Sequence, residues 1–172
     1  MALGTDYGGQ DCSLARALEL VGERWTPLIL RDAFVGVRRY RDFLDHLDIP
    51  RAVLAARLQA LVDAGVLAKQ RYQDAPPRDE YLLTAKGREL WPALHLLSQW
   101  GERHLSEHGP RRVYTHLPCG SRLESGSCPS CGAVRPEDVE VRPGPGATTT
   151  RTDAVSVALR EPRRLLEPLR TP

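Results

Sequence analysis

Three of the four cysteines and one histidine fall in two short knuckles, His116-Leu-Pro-Cys119-Gly and Cys128-Pro-Ser-Cys131-Gly, with eight residues between them. Glycine or proline beside each cysteine permits the tight turn that aims two side chains at one ion, and a Cys3His set can close a tetrahedral zinc site. A reduced thiol pair and a disulfide are the alternative states of the same residues. A dithiol at this spacing would suit a redox enzyme if it followed a strand and opened a helix within a βαβ unit, and no such pattern surrounds it. The fourth cysteine, Cys12, stands beside the first turn of an expected helix. A helix N-terminus lowers a thiol pKa while the adjacent Asp11 raises it, so residue physics alone reads Cys12 as a half-buried apolar residue.

A second chemistry is offered by arginines. Arg38, Arg39 and Arg41, with Arg31 nearby, precede Tyr40, Phe43, Leu44 and Leu47, which share one face of a helix at i, i+3, i+4 and i+7. Only Asp48, Ile49 and Pro50 separate that helix from a second, in which Leu54, Leu58 and Leu61 repeat the spacing and Gly65 supplies a left-handed stop. Helices joined so tightly cross steeply, as in a helix-turn-helix. The opposite side of the second helix carries Ala52, Ala55, Ala56 and Gln59, flanked by Arg51 and Arg57. Alanines allow close approach to base edges, and Gln or Arg can make bidentate contacts to adenine or guanine. The competing reading is a helix-favouring, solvated face. A hairpin follows, with strands expected over 66–72 and 80–83 and a proline-stiffened tip over 73–79 that carries Arg78.

Further elements must position these. One helix is expected to begin near Asp11 or Ser13, carry Leu14, Leu18 and Val21, and end at Gly22. A second is expected to be capped at Thr26-Pro27 and to stop near Gly36. After the hairpin, Thr84 caps a long fifth helix bearing Leu90, Leu94, Leu97 and Trp100 and bent by Pro92. Trp91, Leu96 and Leu105 widen its apolar surface beyond what one small domain covers, which calls for a partner subunit, most simply in a twofold dimer. The chain has 172 residues, enough for one domain and an appendage, with hydrophobic and charged contents of 41% and 27% that suit a soluble globular protein. A net charge of +2 is too small to argue for nucleic acid by itself, so that case rests on where the arginines sit. The sequence shows neither a membrane span nor a signal peptide, and a cytoplasmic location is expected.

The order of Cys12, ERWTPLILRD (23–32), VRRYRDF (37–43), LAARLQALVDAGVL (54–67) and PPRDEYLLTAKG (76–87) resembles the HxlR-type winged helix-turn-helix regulators of bacteria over about residues 11–105. Pro50 stands where that family usually offers a serine. The resemblance implies a homodimer held by the first and last helices, with the motif's second helix in the major groove of double-stranded DNA and the wing on the backbone. It also implies a transcriptional regulator, most often a repressor, and not an enzyme. In some members a cysteine at the position of Cys12 senses oxidants, which makes Cys12 the redox-sensing candidate; the effector, small molecule or oxidant, is not specified.

The expected fold class is therefore mainly α with a small β-hairpin: a winged helix-turn-helix plus a small zinc-ribbon-like appendage and a tail. Residues 1–10 form a flexible N-terminus, 11–108 the DNA-binding and dimerisation domain, 112–141 the Cys/His appendage, and 142–172 a mobile tail with a short helix near 163–169. Expected DNA contacts are Arg38, Arg39, Arg51, Ala52, Ala55, Gln59 and Arg78. Expected ligands of a structural zinc are His116, Cys119, Cys128 and Cys131. A thiol enzyme using Cys128 and Cys131, and a winged-helix protein-interaction adaptor, are the alternatives.

Overall fold

The computed structural model describes Tyr7 and residues 9–169, so most of the loose N-terminal segment expected over 1–10 lies outside the described residues. Helix α1 (Ser13–Val21) follows Cys12, which is extended and makes no side-chain cap. Gly22 ends it in the right-handed region at φ −78°. In α2 (Thr26–Phe34), Thr26 is the first helical residue and is not the cap; Pro27 occupies the first turn, where its missing N–H breaks no helical bond. Helix α3 (Tyr40–Leu47) buries Phe43 and Leu47, and Asp48 turns the chain at φ +56°. Helix α4 (Arg51–Asp63) buries Leu54, Leu58 and Leu61. Gly65 follows at φ +67°, the left-handed stop that its position requires.

The wing is longer and more tightly closed than the sequence suggests. Strands β1 (Leu67–Asp74) and β2 (Pro77–Leu83) pair antiparallel from Leu67↔Leu83 to Asp74↔Pro77, with a bulge between Arg71 and Gln73. Two prolines look like breakers. Pro77, however, opens a strand at the end of its ladder, where no N–H is needed. The approach to α3 joins this sheet: the Tyr81 N–H donates to the Arg38 carbonyl at 2.8 Å, and Arg39 bridges to Glu80.

The expected long fifth helix is two helices, α5 (Ala85–Arg88) and α6 (Trp91–Leu105). The Thr84 hydroxyl accepts the Gly87 N–H at 3.1 Å and caps α5. Pro92 lies in the first turn of α6, so it starts a helix where it was expected to bend one.

The largest departure lies beyond residue 110. Strands β3 (Arg112–His116), β4 (Val139–Pro143) and β5 (Arg163–Arg164) form an antiparallel sheet in that order, with a 3-10 turn at Pro136–Asp138 and α7 (Ala154–Ala158) before β5. The segment 142–172, expected to be a mobile tail, is folded as far as Leu169. Residues 163–169 are β5 and turns; the helix stands earlier, at α7. The Pro-, Gly- and Thr-rich stretch after Arg142 reads as a linker, but Val155, Leu159, Leu165 and Leu169 behind it are all buried. They join one core with Phe34, Phe43, Leu54 and Leu58. Trp91 sits at the junction, its ring 5.3 Å from Phe34 and 5.2 Å from Tyr114. Arg88 pairs with Glu137 at 2.6 Å, and Arg151 donates to the Asp45 carbonyl at 3.1 Å.

Candidate nucleic-acid interface and Cys/His cluster

Helix α4 divides cleanly. Leu54, Leu58 and Leu61 face the core, and Arg51, Ala52, Ala55 and Gln59 are exposed. The Tyr40 hydroxyl donates to the Arg51 carbonyl at 2.9 Å and ties α3 to the start of α4. Gln59 donates to Asp63 at 2.7 Å along its own helix. Among the described residues no hydrogen bond or ion pair engages the side chain of Arg51 or of Arg78, which is exposed at the wing's end.

The other two expected anchors are engaged. The Arg38 Nη2 donates to the Leu166 carbonyl at 3.0 Å. Arg39 lies 3.5 Å from the Glu80 carboxylate and 5.0 Å above the Tyr72 ring. Three further cations join the surface without an assigned contact in the sequence reading. Arg41 is 88% exposed and 3.5 Å from Asp45. Lys69 and Arg71 both lie 3.2 Å from Asp79, whose carboxyl they hold below its usual range. Their i, i+2 spacing on one strand was the signal that could have found them.

Two apolar helix faces remain outside the core: Leu14 and Leu18 on α1, and Leu96, Leu97, Trp100 and Leu105 on α6, the last 75% exposed. A cavity of about 400 Å³ is lined by Arg31, His46, Glu102, Arg112, Tyr114 and Arg151 among others. Three of its four arginines already have partners: Arg31 in Asp32, Arg112 in the Leu159 carbonyl, and Arg151 in Asp153.

The four residues of the two knuckles come together. The Gly120 N–H donates to the His116 carbonyl at 2.8 Å, and Cys128 and Gly132 exchange both backbone bonds at 2.8 Å. Gly120 and Gly132 hold φ +71° and +78°, which a side chain would resist. The ligand atoms of His116, Cys119, Cys128 and Cys131 all lie within 4.8 Å of one another. The His116 Nδ1 is 3.2 Å from the Cys119 Sγ, which is 3.4 Å from the Cys128 Sγ. That sulfur separation is far beyond a disulfide bond of ~2.05 Å, and all four cysteines are free. Hydrogen bonds from Ser121 draw the Cys119 thiol down to about 6, and beside it the Cys131 thiol is pushed up to about 11. Cys128 and Cys131 flank a knuckle turn; they do not open a helix. Cys12 stands apart, exposed at the N-cap of α1.

A family model described as HxlR-like helix-turn-helix matches residues 20–109. An HTH-type transcriptional regulator of Mycobacterium tuberculosis is 44% identical over 137 residues, which is 78% of this chain and 87% of that protein. A match of that length runs past the wing and into the C-terminal sheet. Among solved structures, PA1607, described as a transcription factor, superposes with a TM-score of 0.53 at 34% identity over 80% of this chain and 87% of that one. The redox regulator HypR in its reduced form gives 0.51 at 27% identity over 54% of this chain and 92% of its own. Among the described residues no helix is long and apolar enough to cross a membrane.

Proposed function

The chain belongs to the HxlR-like helix-turn-helix family of DNA-binding transcriptional regulators, and from that premise we propose a homodimeric repressor that reads double-stranded DNA with α4 in the major groove. The observation that carries this reading is the outward row Arg51, Ala52, Ala55 and Gln59, on a helix whose other face is fixed in the core. Arg51 and Gln59 have the donor geometry for base edges, and the alanines let the backbone come close. Arg41 and Arg78 contact flanking phosphates from the α3 side and from the wing. Arg38 spends one N–H on Leu166, and its remaining donors stay free for a phosphate. The apolar strips on α1 and α6 support the dimer, whose twofold axis sets two copies of α4 on successive turns of an inverted repeat, ~34 Å apart.

The test is Arg51→Ala. Affinity for the cognate operator should fall by ~1–3 kcal/mol with little change on random duplex, and equal losses on both would remove Arg51 as a base reader. Because the family contact is largely electrostatic, affinity must also fall steeply as salt rises; a salt-insensitive chain would be a protein-interaction module instead. Repression is tested by deletion, which should raise transcription from the bound promoter.

A second reading concerns control. Cys12 is exposed at the N-terminus of α1, beside the apolar strip assigned to the dimer, and the relative HypR is a redox regulator. Oxidation of Cys12 would alter that strip and release DNA. Release that persists in Cys12→Ser protein would discard this control.

A further inference from the structure

We propose that His116, Cys119, Cys128 and Cys131 hold one Zn²⁺ in a closed, four-coordinate structural site that clasps the C-terminal sheet onto the loop leading into the helix-turn-helix. The inference is independent of what DNA the protein reads.

Three observations carry it. The first is convergence. Four ligand atoms from two turns of one design, each closed by a left-handed glycine, meet within 4.8 Å. Zinc bound to thiolates at ~2.3 Å needs ligand atoms ~3.8 Å apart, and the 3.2 and 3.4 Å separations already seen lie close to that edge. Three sulfurs and an imidazole suit zinc over the hard cations, which select oxygen.

The second is the lack of any other staple. Residues 117–135 contain no strand or helix, only isolated bridges such as Thr115↔Arg122 and Cys128↔Gly132. Leu123 is the buried aliphatic side chain of that stretch, and the other buried group is Cys128 itself. A loop of this length with one apolar anchor is held in small domains by a metal or a disulfide, and the cysteines are free.

The third is what the cluster is joined to. His116 pairs in register with Val139, whose carbonyl accepts the Leu165 N–H at 2.9 Å. The next residues strap the winged helix: the Leu166 N–H donates to the Phe34 carbonyl at 2.7 Å and the Leu169 N–H to the Gly36 carbonyl at 2.8 Å. Leu166 in turn accepts from Arg38, at the entrance to α3. The metal site therefore lies at one end of a continuous hydrogen-bonded path whose other end is a DNA-side arginine. Each binding thiol releases its proton to solvent, so loading is proton-linked.

The test is metal analysis of the full-length chain grown with zinc and purified without a metal-affinity tag. About one zinc per chain is expected, retained in His116→Cys and lost in Cys131→Ser. Cobalt substitution should give a thiolate-to-cobalt charge-transfer band and the intense visible bands of a tetrahedral ion. A reduced wild-type chain with far less than one zinc and no such bands would overturn the site. For the clasp, chelation should speed amide exchange at Leu165, Leu166 and Leu169 by on the order of tenfold or more while Leu54, Leu58 and Leu61 stay protected. Unchanged exchange at the strap, or equal acceleration in α4, would overturn it.

Discussion

Gly36 and Gly65 form a matched pair that measures what the C-terminal strap contributes. Both hold positive φ, +95° and +67°, so an alanine at either is strained by its own backbone at ~1–2 kcal/mol. Both substitutions also stiffen the unfolded chain, a gain of ~0.4–1 kcal/mol where it applies. The difference is in what the new Cβ meets. At Gly65 it enters open space, and at Gly36 it overlaps the Glu167 carbonyl oxygen. The strap must then move away from the loop. Doing so breaks the Leu166 and Leu169 bonds to Phe34 and Gly36, ~1 kcal/mol each, and uncovers part of Leu169, ~1.5–3 kcal/mol if fully exposed. Gly65→Ala should therefore destabilise by ~1 kcal/mol, and Gly36→Ala by ~4 kcal/mol. Urea unfolding of the two variants beside wild type gives both values. Hydrogen exchange at Leu166 and Leu169 reports whether the strap itself has lifted. If Gly36→Ala costs within ~1 kcal/mol of Gly65→Ala, or if those two amides remain protected, the strap is not braced against this loop and the reasoning fails.

Two other perturbations have worked signs. Burial among Trp91 and Tyr114 holds the His95 imidazole down to about 4 from its ordinary 6.5, so the folded chain keeps it neutral where the unfolded chain takes up a proton. This contribution is fully present above pH ~6.5 and is lost as pH falls towards ~4, by at most ~3 kcal/mol; thermal unfolding of His95→Phe should lose that part of the acid sensitivity, and parallel pH slopes would count against it. On α6, Leu97 is 59% exposed. Leu97→Asp should shift sedimentation from dimer to monomer and leave the monomer's unfolding midpoint unchanged, whereas an unaltered dimer would place the interface elsewhere.

What the sequence made legible is what periodicity encodes. The i, i+3, i+4 leucines of α3 and α4 place the helix-turn-helix and its core face, since burial enforces that spacing. The same logic brought His116 into the cysteine set, for two knuckles of equal span converge on one point. Proline was misjudged at two places. Pro77, read as part of a stiff tip, opens β2 at the end of its ladder, and Pro92, expected to bend a helix, sits in the first turn of α6, where no N–H is needed. The tail was misjudged for a different reason. Its anchors Val155, Leu159, Leu165 and Leu169 follow no single helical or strand period, because they come from α7, β5 and turns together, and only the tertiary fold shows them sharing one core. Long-range use of Arg38 was illegible for the same cause, as its partner lies 128 residues away.

That partner also ranks the cations available to DNA. The pairs Arg39–Glu80, Lys69–Asp79 and Arg71–Asp79 are part-exposed and screened by solvent, so an arriving phosphate can displace the carboxylate at little cost. Arg51 and Arg78 need no displacement. Arg38 differs, because full withdrawal of its guanidinium would leave the Leu166 carbonyl without that donor in the strap that braces Gly36. The wing should therefore dominate the salt dependence, in which each phosphate neutralised adds ~0.9 to the slope of log affinity against log salt. Arg78→Ala or Arg71→Ala should each lower that slope by nearly one contact. Arg38→Ala should instead show its loss mainly in unfolding and in strap exchange. A full-contact drop in slope for Arg38→Ala, with stability untouched, would make it a phosphate anchor first and a brace second.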